Sequence, residues 1–140
     1  MISLDSSQRE WWYLAGLVAT DGCLSKSRRH VTLIAKDRGF LEMIRDRCRI
    51  TNKVCEHFNS RGQLSHGINI CGREYWDDLA RIGLPPAKSK PMGALEIPDY
   101  MLPDFLRGVV DGDGAIRRWT HPGNGGEQRS LRIYSASPLF

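Results

Sequence analysis

Apolar positions recur at helical spacing in four stretches of the chain and alternate in the shorter runs between them. From Trp11 to Val18, Trp11, Trp12, Leu14, Leu17 and Val18 leave almost no polar side, which predicts a helix at the centre of a domain. Ser6 or Ser7, with Glu10 close behind, suits its N-terminal cap, and Asp21 followed by Gly22 marks its end. The run CLSKSRRHVTLIAKD places two extended pieces around a polar centre, and VTLIA has the β-branched content of a strand, so a hairpin is expected there. Phe40, Leu41, Ile44 and Cys48 predict a second helix with an Arg and Asp outer face. NKVCEHFN and HGINI, joined across SRGQLS, predict a second hairpin, and REYWDDLARIGL a third helix ending at Gly83. The order so far is αββαββα.

The Pro-rich stretch PPAKSKPMGALEIPDYM has no period and reads as a linker. The pattern then restarts: PDFLRGVVDGDG repeats the first helix, while AIRRW and SLRIYSA repeat the first hairpin around a longer Gly-rich loop. Leu14 and Leu106 lie 106 − 14 = 92 positions apart, the period of an internal repeat. The expectation is an α+β protein with a first repeat over 1–84, a linker over 85–102 and the beginning, αββ, of a second pseudo-symmetric repeat over 103–140. Alternation turns Val31, Leu33, Ala35, Leu131 and Ile133 toward the helices, and His30, Thr32, Lys36, Arg132 and Tyr134 away from them.

Composition narrows the class. The 140 residues are 41% hydrophobic and 26% charged, enough for one domain with a real core. A net charge of +4 and a pI near 9.0 suit a polyanionic partner without requiring one. No charged start leads into an apolar run and no run is long enough to span a bilayer, so the expected setting is intracellular, cytoplasmic or organellar, and no membrane partner is expected. Cys23, Cys48, Cys55 and Cys71 form no C-x-x-C pair, and are read as buried, reduced thiols. Trp11, Trp12, Trp76 and Trp119 read as core or interface residues. His30, His57, His66 and His121 have no spacing that recommends them as catalysts or ligands.

Chemistry enters where the two central helices are compared. Leu14-Ala-Gly-Leu-Val-Ala-Thr-Asp-Gly22 aligns with Leu106-Arg-Gly-Val-Val-Asp-Gly-Asp-Gly114. Gly16 and Thr20, like Gly108 and Gly112, lie four apart on one helix face, where small residues let two backbones approach; Ala15 lies beside them. Packing about a pseudo-twofold axis brings Asp21 and Asp113 together at the ends of the pair. Each carboxylate there opposes its helix dipole and repels the other, so the arrangement calls for cations. Hard divalent ions such as Mg²⁺, which take oxygen ligands and keep positions open for phosphates, suit it. The plain alternative is two core helices with incidental C-terminal acids, but glycine spacing, acids and flanking ββ pattern recur together.

The two segments resemble the paired motifs of the LAGLIDADG homing endonucleases, and αββαββα around each motif resembles that family's fold unit. The resemblance covers nearly the whole chain. The first motif departs from the family pattern at Ala19 and Thr20; neither position is the metal-binding acid, which the family keeps as the penultimate residue of the motif, here Asp21 and Asp113. Asp111 matches the less critical acid and is placed to pair with Arg107. The resemblance implies a site-specific endonuclease acting on double-stranded DNA, with curved sheets forming a saddle over the major groove. Catalysis would rest on Asp21 and Asp113, with Gly22 and Gly114 beside them at the metal site. Mg²⁺ is the implied cofactor, with Mn²⁺ or Ca²⁺ able to substitute in binding, and Lys88 and Lys90 are candidates for a basic residue near the scissile phosphate.

Basic charge lies in the hairpins, as this reading needs: Lys26, Arg28, Arg29 and Lys36 in one, and Arg117, Arg118, Arg129 and Arg132 against a lone Glu127 in the other. With His30, Thr32, Tyr134 and, from the second hairpin, Lys53, His57, Asn59, Arg61 and Asn69, these are the candidate DNA contacts. Most would set position on phosphates, and Arg28, Arg118, Arg132 and Asn69 would reach base edges. Surface arginines are common, so part of the set is expected to have no DNA role. Two alternatives stand beside the nuclease: a non-cleaving nucleic-acid-binding protein of the same fold, such as an RNA maturase or transcription regulator, or an inactive fragment. An incomplete second repeat also predicts self-association or domain swapping through it.

Overall fold

The computed structural model describes residues 4–86 and 92–133. The elements are α1 (Arg9–Asp21), β1 (Gly22–Leu24), β2 (His30–Ala35), α2 (Arg38–Arg47), β3 (Val54–Phe58), β4 (Leu64–Cys71), α3 (Arg73–Arg81), a 3-10 turn (Asp99–Met101), α4 (Leu102–Asp113), β5 (Gly114–Thr120) and β6 (Glu127–Ile133). The strands form two antiparallel sheets, one in the order β1-β2-β4-β3 and a second of β5 and β6. None of the described helices is long and apolar enough to cross a membrane.

The core forms where the apolar periods coincide. Every residue from Trp11 to Val18 is buried, and Trp11 packs edge-on against Trp12 (ring centroids 4.8 Å apart) and Tyr75 of α3 (5.7 Å). On the first sheet Val31 pairs with Ile70 and Leu33 with Ile68, all buried beneath the helices, while Thr32 pairs with Asn69 on the opposite, open face. Leu41 and Ile44 of α2 and Leu79 of α3 complete the same core. Asp37 caps α2 by accepting the Phe40 N–H at 3.2 Å.

Four details differ from the sequence reading. The N-cap of α1 is Gln8, with no side-chain cap bond; Asp5 takes both the amide and the hydroxyl of Ser7, a local bond that competes with capping. Only Cys48 among the cysteines is buried. Cys23, Cys55 and Cys71 pair with Thr32, Gly67 and His30, and alternation puts them on the open face of a sheet that is covered on one side only. Trp119 is 44% exposed. The largest departure is the second sheet. Ile116 corresponds by the 92-residue period to Leu24, which is 2% exposed, yet Ile116 is 72% exposed and Leu131, paired with it, 56%. Ile133, also read as inward-facing, is exposed too. The first sheet buries this face under α2 and α3; among the described residues no helix takes that place over β5 and β6.

Candidate metal and nucleic-acid site

The site begins with two glycines. A Cβ placed on Gly16 would lie 2.1 Å from the Phe105 carbonyl oxygen, 2.9 Å from the Val109 nitrogen and 3.0 Å from the Gly108 Cα. One placed on Gly108 would lie 2.1 Å from the Tyr13 oxygen, 2.9 Å from the Leu17 nitrogen and 3.0 Å from the Gly16 Cα. The two sets of distances are the same relation seen from either helix, because Tyr13 and Phe105 each precede their glycine by three and Leu17 and Val109 each come one after it. A local twofold axis therefore passes between Gly16 and Gly108, and α1 and α4 touch backbone to backbone there. Ala15 is buried beside the contact. Four residues on, Gly112 admits the Thr20 side chain, whose Oγ1 would be 1.9 Å from a Cβ on that glycine.

The same axis relates Asp21 to Asp113, five residues beyond the crossing on each helix. Each acid is followed by a glycine that turns the chain directly into a strand. Neither Gly22 (φ −91°, ψ 167°) nor Gly114 (φ −74°, ψ 149°) adopts the left-handed conformation that often ends helices. Their need is space: a Cβ on Gly22 would sit 2.5 Å from the Val18 Cα, and one on Gly114 2.4 Å from the Val110 oxygen. Both glycine N–H groups donate back into the last turn, to Val18 O and Val110 O. Asp21 is half-buried and Asp113 exposed.

Gly112 also gives Asp21 its room, since Asp21 Oδ2 is 3.3 Å from where a Cβ would be. Asp21 and Asp113 offer carboxylate oxygens, the donors that hard divalent cations take. Among the described residues no three His, Cys, Asp or Glu side chains converge on one point. An ion held by Asp21 and Asp113 would therefore complete its shell with water and phosphate, the habit of Mg²⁺.

Asp111 has a different partner from the one read at i, i−4. Arg107 reaches Asp104 (3.6 Å), and Asp111 accepts a hydrogen bond from the Tyr13 hydroxyl of α1 at 2.7 Å. Tyr13 is fully buried, with the Arg47 guanidinium 4.9 Å from its ring centroid and that of Arg107 4.7 Å away. Burial, then the bond to Asp111, raise its phenol well above the usual tyrosine value, so it remains a donor. Asp104, 3% exposed at the start of α4, is paired with Arg9 at 2.8 Å.

The register sorts the candidate DNA contacts. His30, Thr32, His57 and Asn69 share the open face of the first sheet, and Thr32 Oγ1 donates to Asn69 Oδ1 at 2.8 Å, which leaves the amide nitrogen of Asn69 outside that bond. Lys26, Arg29, Lys36, Lys53 and Arg61 are exposed in the turns and strand ends around that face. Arg28 is tied down instead: it has φ 57°, pairs with Asp77 of α3 at 2.8 Å and lies 5.1 Å from the Trp76 ring centroid. Trp76 Nε1 donates to Ser25 O at 3.0 Å, a second bond between the β1–β2 turn and α3. In the second sheet Arg117 and Arg132 pair with Ser130 and Ala115, on the face that carries Trp119. Arg118 and Arg129 pair with each other on the face of Ile116 and Leu131, and both bind Glu127 (2.9 and 2.7 Å). Lys88, Lys90 and Tyr134 lie outside the described residues.

Sequence reasoning missed Tyr13, Asp104 and Asp77. Tyr13 gave a faint signal, as the polar residue in an otherwise apolar helix segment; Asp104 and Asp77 gave none, since their partners are remote in sequence.

Residues 9–82 match the family described as LAGLIDADG-like domain. No curated protein matches the chain. Among solved structures, the chain is similar to the crystal structure of the LAGLIDADG homing endonuclease I-GzeII in complex with its DNA target, at a TM-score of 0.53 and 13% identity over 88% of this chain and 65% of that one. The chain thus spans less than two thirds of that enzyme's length, and the likeness is one of fold: helices packed with antiparallel sheets.

Proposed function

The chain belongs to the LAGLIDADG-like domain family, whose match takes in more than half of its residues, and from that premise we propose that it is a site-specific, divalent-metal-dependent endonuclease cutting both strands of duplex DNA. One observation carries the reading: the reciprocal Gly16–Gly108 contact makes Asp21 and Asp113 symmetry equivalents at the ends of two helices that each run straight into a sheet. Two equivalent acids suit two antiparallel strands, one acid to each.

Asp21 and Asp113 would hold Mg²⁺, with Mn²⁺ or Ca²⁺ as substitutes in binding. Bound there, the ion supplies Lewis acidity and an activated water for phosphodiester hydrolysis. The chain's own part is to hold the two carboxylates in place against their mutual repulsion and to offer the duplex its open sheet face. Lys26, Arg29, Lys36, Lys53 and Arg61 set position on phosphates, and Asn69, Arg117 and Arg132 face the groove. Lys88 and Lys90 remain the proposed basic residues of the first half-site. The uncovered Ile116, Leu131 and Ile133 support self-association through the second sheet. The same uncovered, two-stranded sheet favours one second reading, a protein of this fold that binds nucleic acid without cutting it.

A randomised duplex pool incubated with the chain in Mg²⁺ or in EDTA tests the proposal. Metal-dependent cuts at a constant stagger are expected. Salt-sensitive binding with no cut in Mg²⁺ or Mn²⁺ would favour the second reading.

A further inference from the structure

The two halves of the site are equivalent at Gly16 and Gly108 but not in how their last turns are fastened. Position 13 of α1 corresponds to Phe105 of α4, and position 111 of α4 to Ala19 of α1. Tyr13 and Asp111 form a hydrogen bond across the helix pair; the equivalent positions, Phe105 and Ala19, have no hydroxyl and no carboxylate with which to form one. On α1 the corresponding turn is wedged instead, with Thr20 against Gly112 and its hydroxyl bonded to Leu17 O at 3.0 Å. On α4 that position is Gly112, which has no side chain to wedge. The last turn of α4 has instead a side-chain hydrogen bond to α1 through Asp111, two residues before Asp113.

We propose that Tyr13 is the positioning residue of the second half-site: from α1 it bonds Asp111, fixes the last turn of α4, and so sets the Asp113 carboxylate, while Asp21 is set without it. The geometry supports a fixed role. Two guanidiniums lie against the ring, Arg47 from α2 and Arg107 from α4, so the hydroxyl is aimed by its surroundings. The consequence is an asymmetric pair of half-sites that share the Thr20–Gly112 packing and differ in the Tyr13–Asp111 hydrogen bond, which only the second has. The consequence for strand cutting rests on the endonuclease reading; the consequence for α4 does not.

Tyr13→Phe removes the hydroxyl and keeps the ring beside both arginines. In amide hydrogen exchange of the metal-free chain, the variant is expected to lose protection at least tenfold across residues 110–114 and to keep it across 18–22. The double variant Tyr13→Phe/Asp111→Ala should show no more than either single change, as two ends of one bond require. On supercoiled DNA carrying a cleaved site, Tyr13→Phe should accumulate nicked circles whose surviving cut is the strand that Asp113→Asn also leaves cut. Equal loss of protection at both helix ends, or no loss at either, overturns the proposal. So does an equal slowing of both strands. If the unaltered chain cuts no DNA, the endonuclease reading fails and the exchange measurement still decides the role of Tyr13.

Discussion

Gly16 and Gly108 are each other's counterpart across a twofold axis: a side chain on either would strike, at 2.1 Å, the carbonyl oxygen three residues before the other. The partner atoms on both sides are backbone, so neither clash is relieved by a rotamer change. Helices this close gain dispersion along their whole crossing and carry the axis on to their C-terminal ends. In each copy the helix ends on an acid and continues into a strand, and for that reason the contact in the helix pair governs the geometry of the site.

Gly16→Ala and Gly108→Ala are expected to destabilise the fold by similar amounts, about 3 kcal/mol each, at the upper end of overpacking costs. Urea unfolding of both variants checks this. A Gly16→Ala variant as stable as the unaltered chain would mean that the helices cross elsewhere.

The acids carry an electrostatic cost when no cation is present. Each opposes the partial charge of its own helix C-terminus, so Asp113→Asn should raise the melting temperature in EDTA, by the equivalent of about 0.5–1 kcal/mol at low salt. Mg²⁺ should stabilise the unaltered chain and leave the double variant Asp21→Asn/Asp113→Asn unmoved. Thermal melts with and without the metal show both effects.

Much of this was legible in the chain, and the failures have a common cause. The helices and first two hairpins come from periods of 3.6 and 2, and the glycines and acids of the two motifs from their recurrence at 92 residues. No choice between a near partner and a remote one could be read. Asp111 has Arg107 four residues away, yet its hydrogen-bond donor is Tyr13, separated from it by 98 positions. Ser7 looked like a cap until Asp5 took it. Arg28 sits in a basic hairpin but pairs with an acid 49 residues on. Leu131 alternates as an inward residue would, and no period tells whether a helix covers that face.

Arg28 offers a sharp contrast with its neighbour. Its pairing with Asp77 is partly exposed and contributes about 0.5 kcal/mol, but it shapes the turn. Arg29→Ala should reduce the slope of log binding constant against log salt by about 1, as loss of one phosphate contact does. Arg28→Ala should leave the slope unchanged while matching Asp77→Asn in its effect on affinity. A slope change on Arg28→Ala would make it a direct contact.

Tyr75 keeps a buried hydroxyl with no hydrogen-bond partner among the described residues, and burial raises its phenol far above the usual value. Tyr75→Phe removes an uncompensated desolvation and is expected to stabilise the chain by about 1 kcal/mol, read from the same urea transitions.

The thiols should separate by reactivity. Burial pushes Cys48 up to about 12, so at pH 8 it holds almost no thiolate and has no access to solvent. Cys55 and Cys71 are exposed. A disulfide reagent at pH 8 should label those two quickly and Cys48 only after unfolding; rapid labelling of Cys48 in the folded chain would contradict its place in the core.

The most direct measurement is strand-resolved cleavage of one end-labelled duplex, selected from the pool, by the unaltered chain, Asp21→Asn and Asp113→Asn in Mg²⁺. The account predicts two staggered cuts for the unaltered chain, each variant losing a different strand, and no cutting in EDTA. Cuts that persist on both strands in both variants would show that these acids do not carry the reaction.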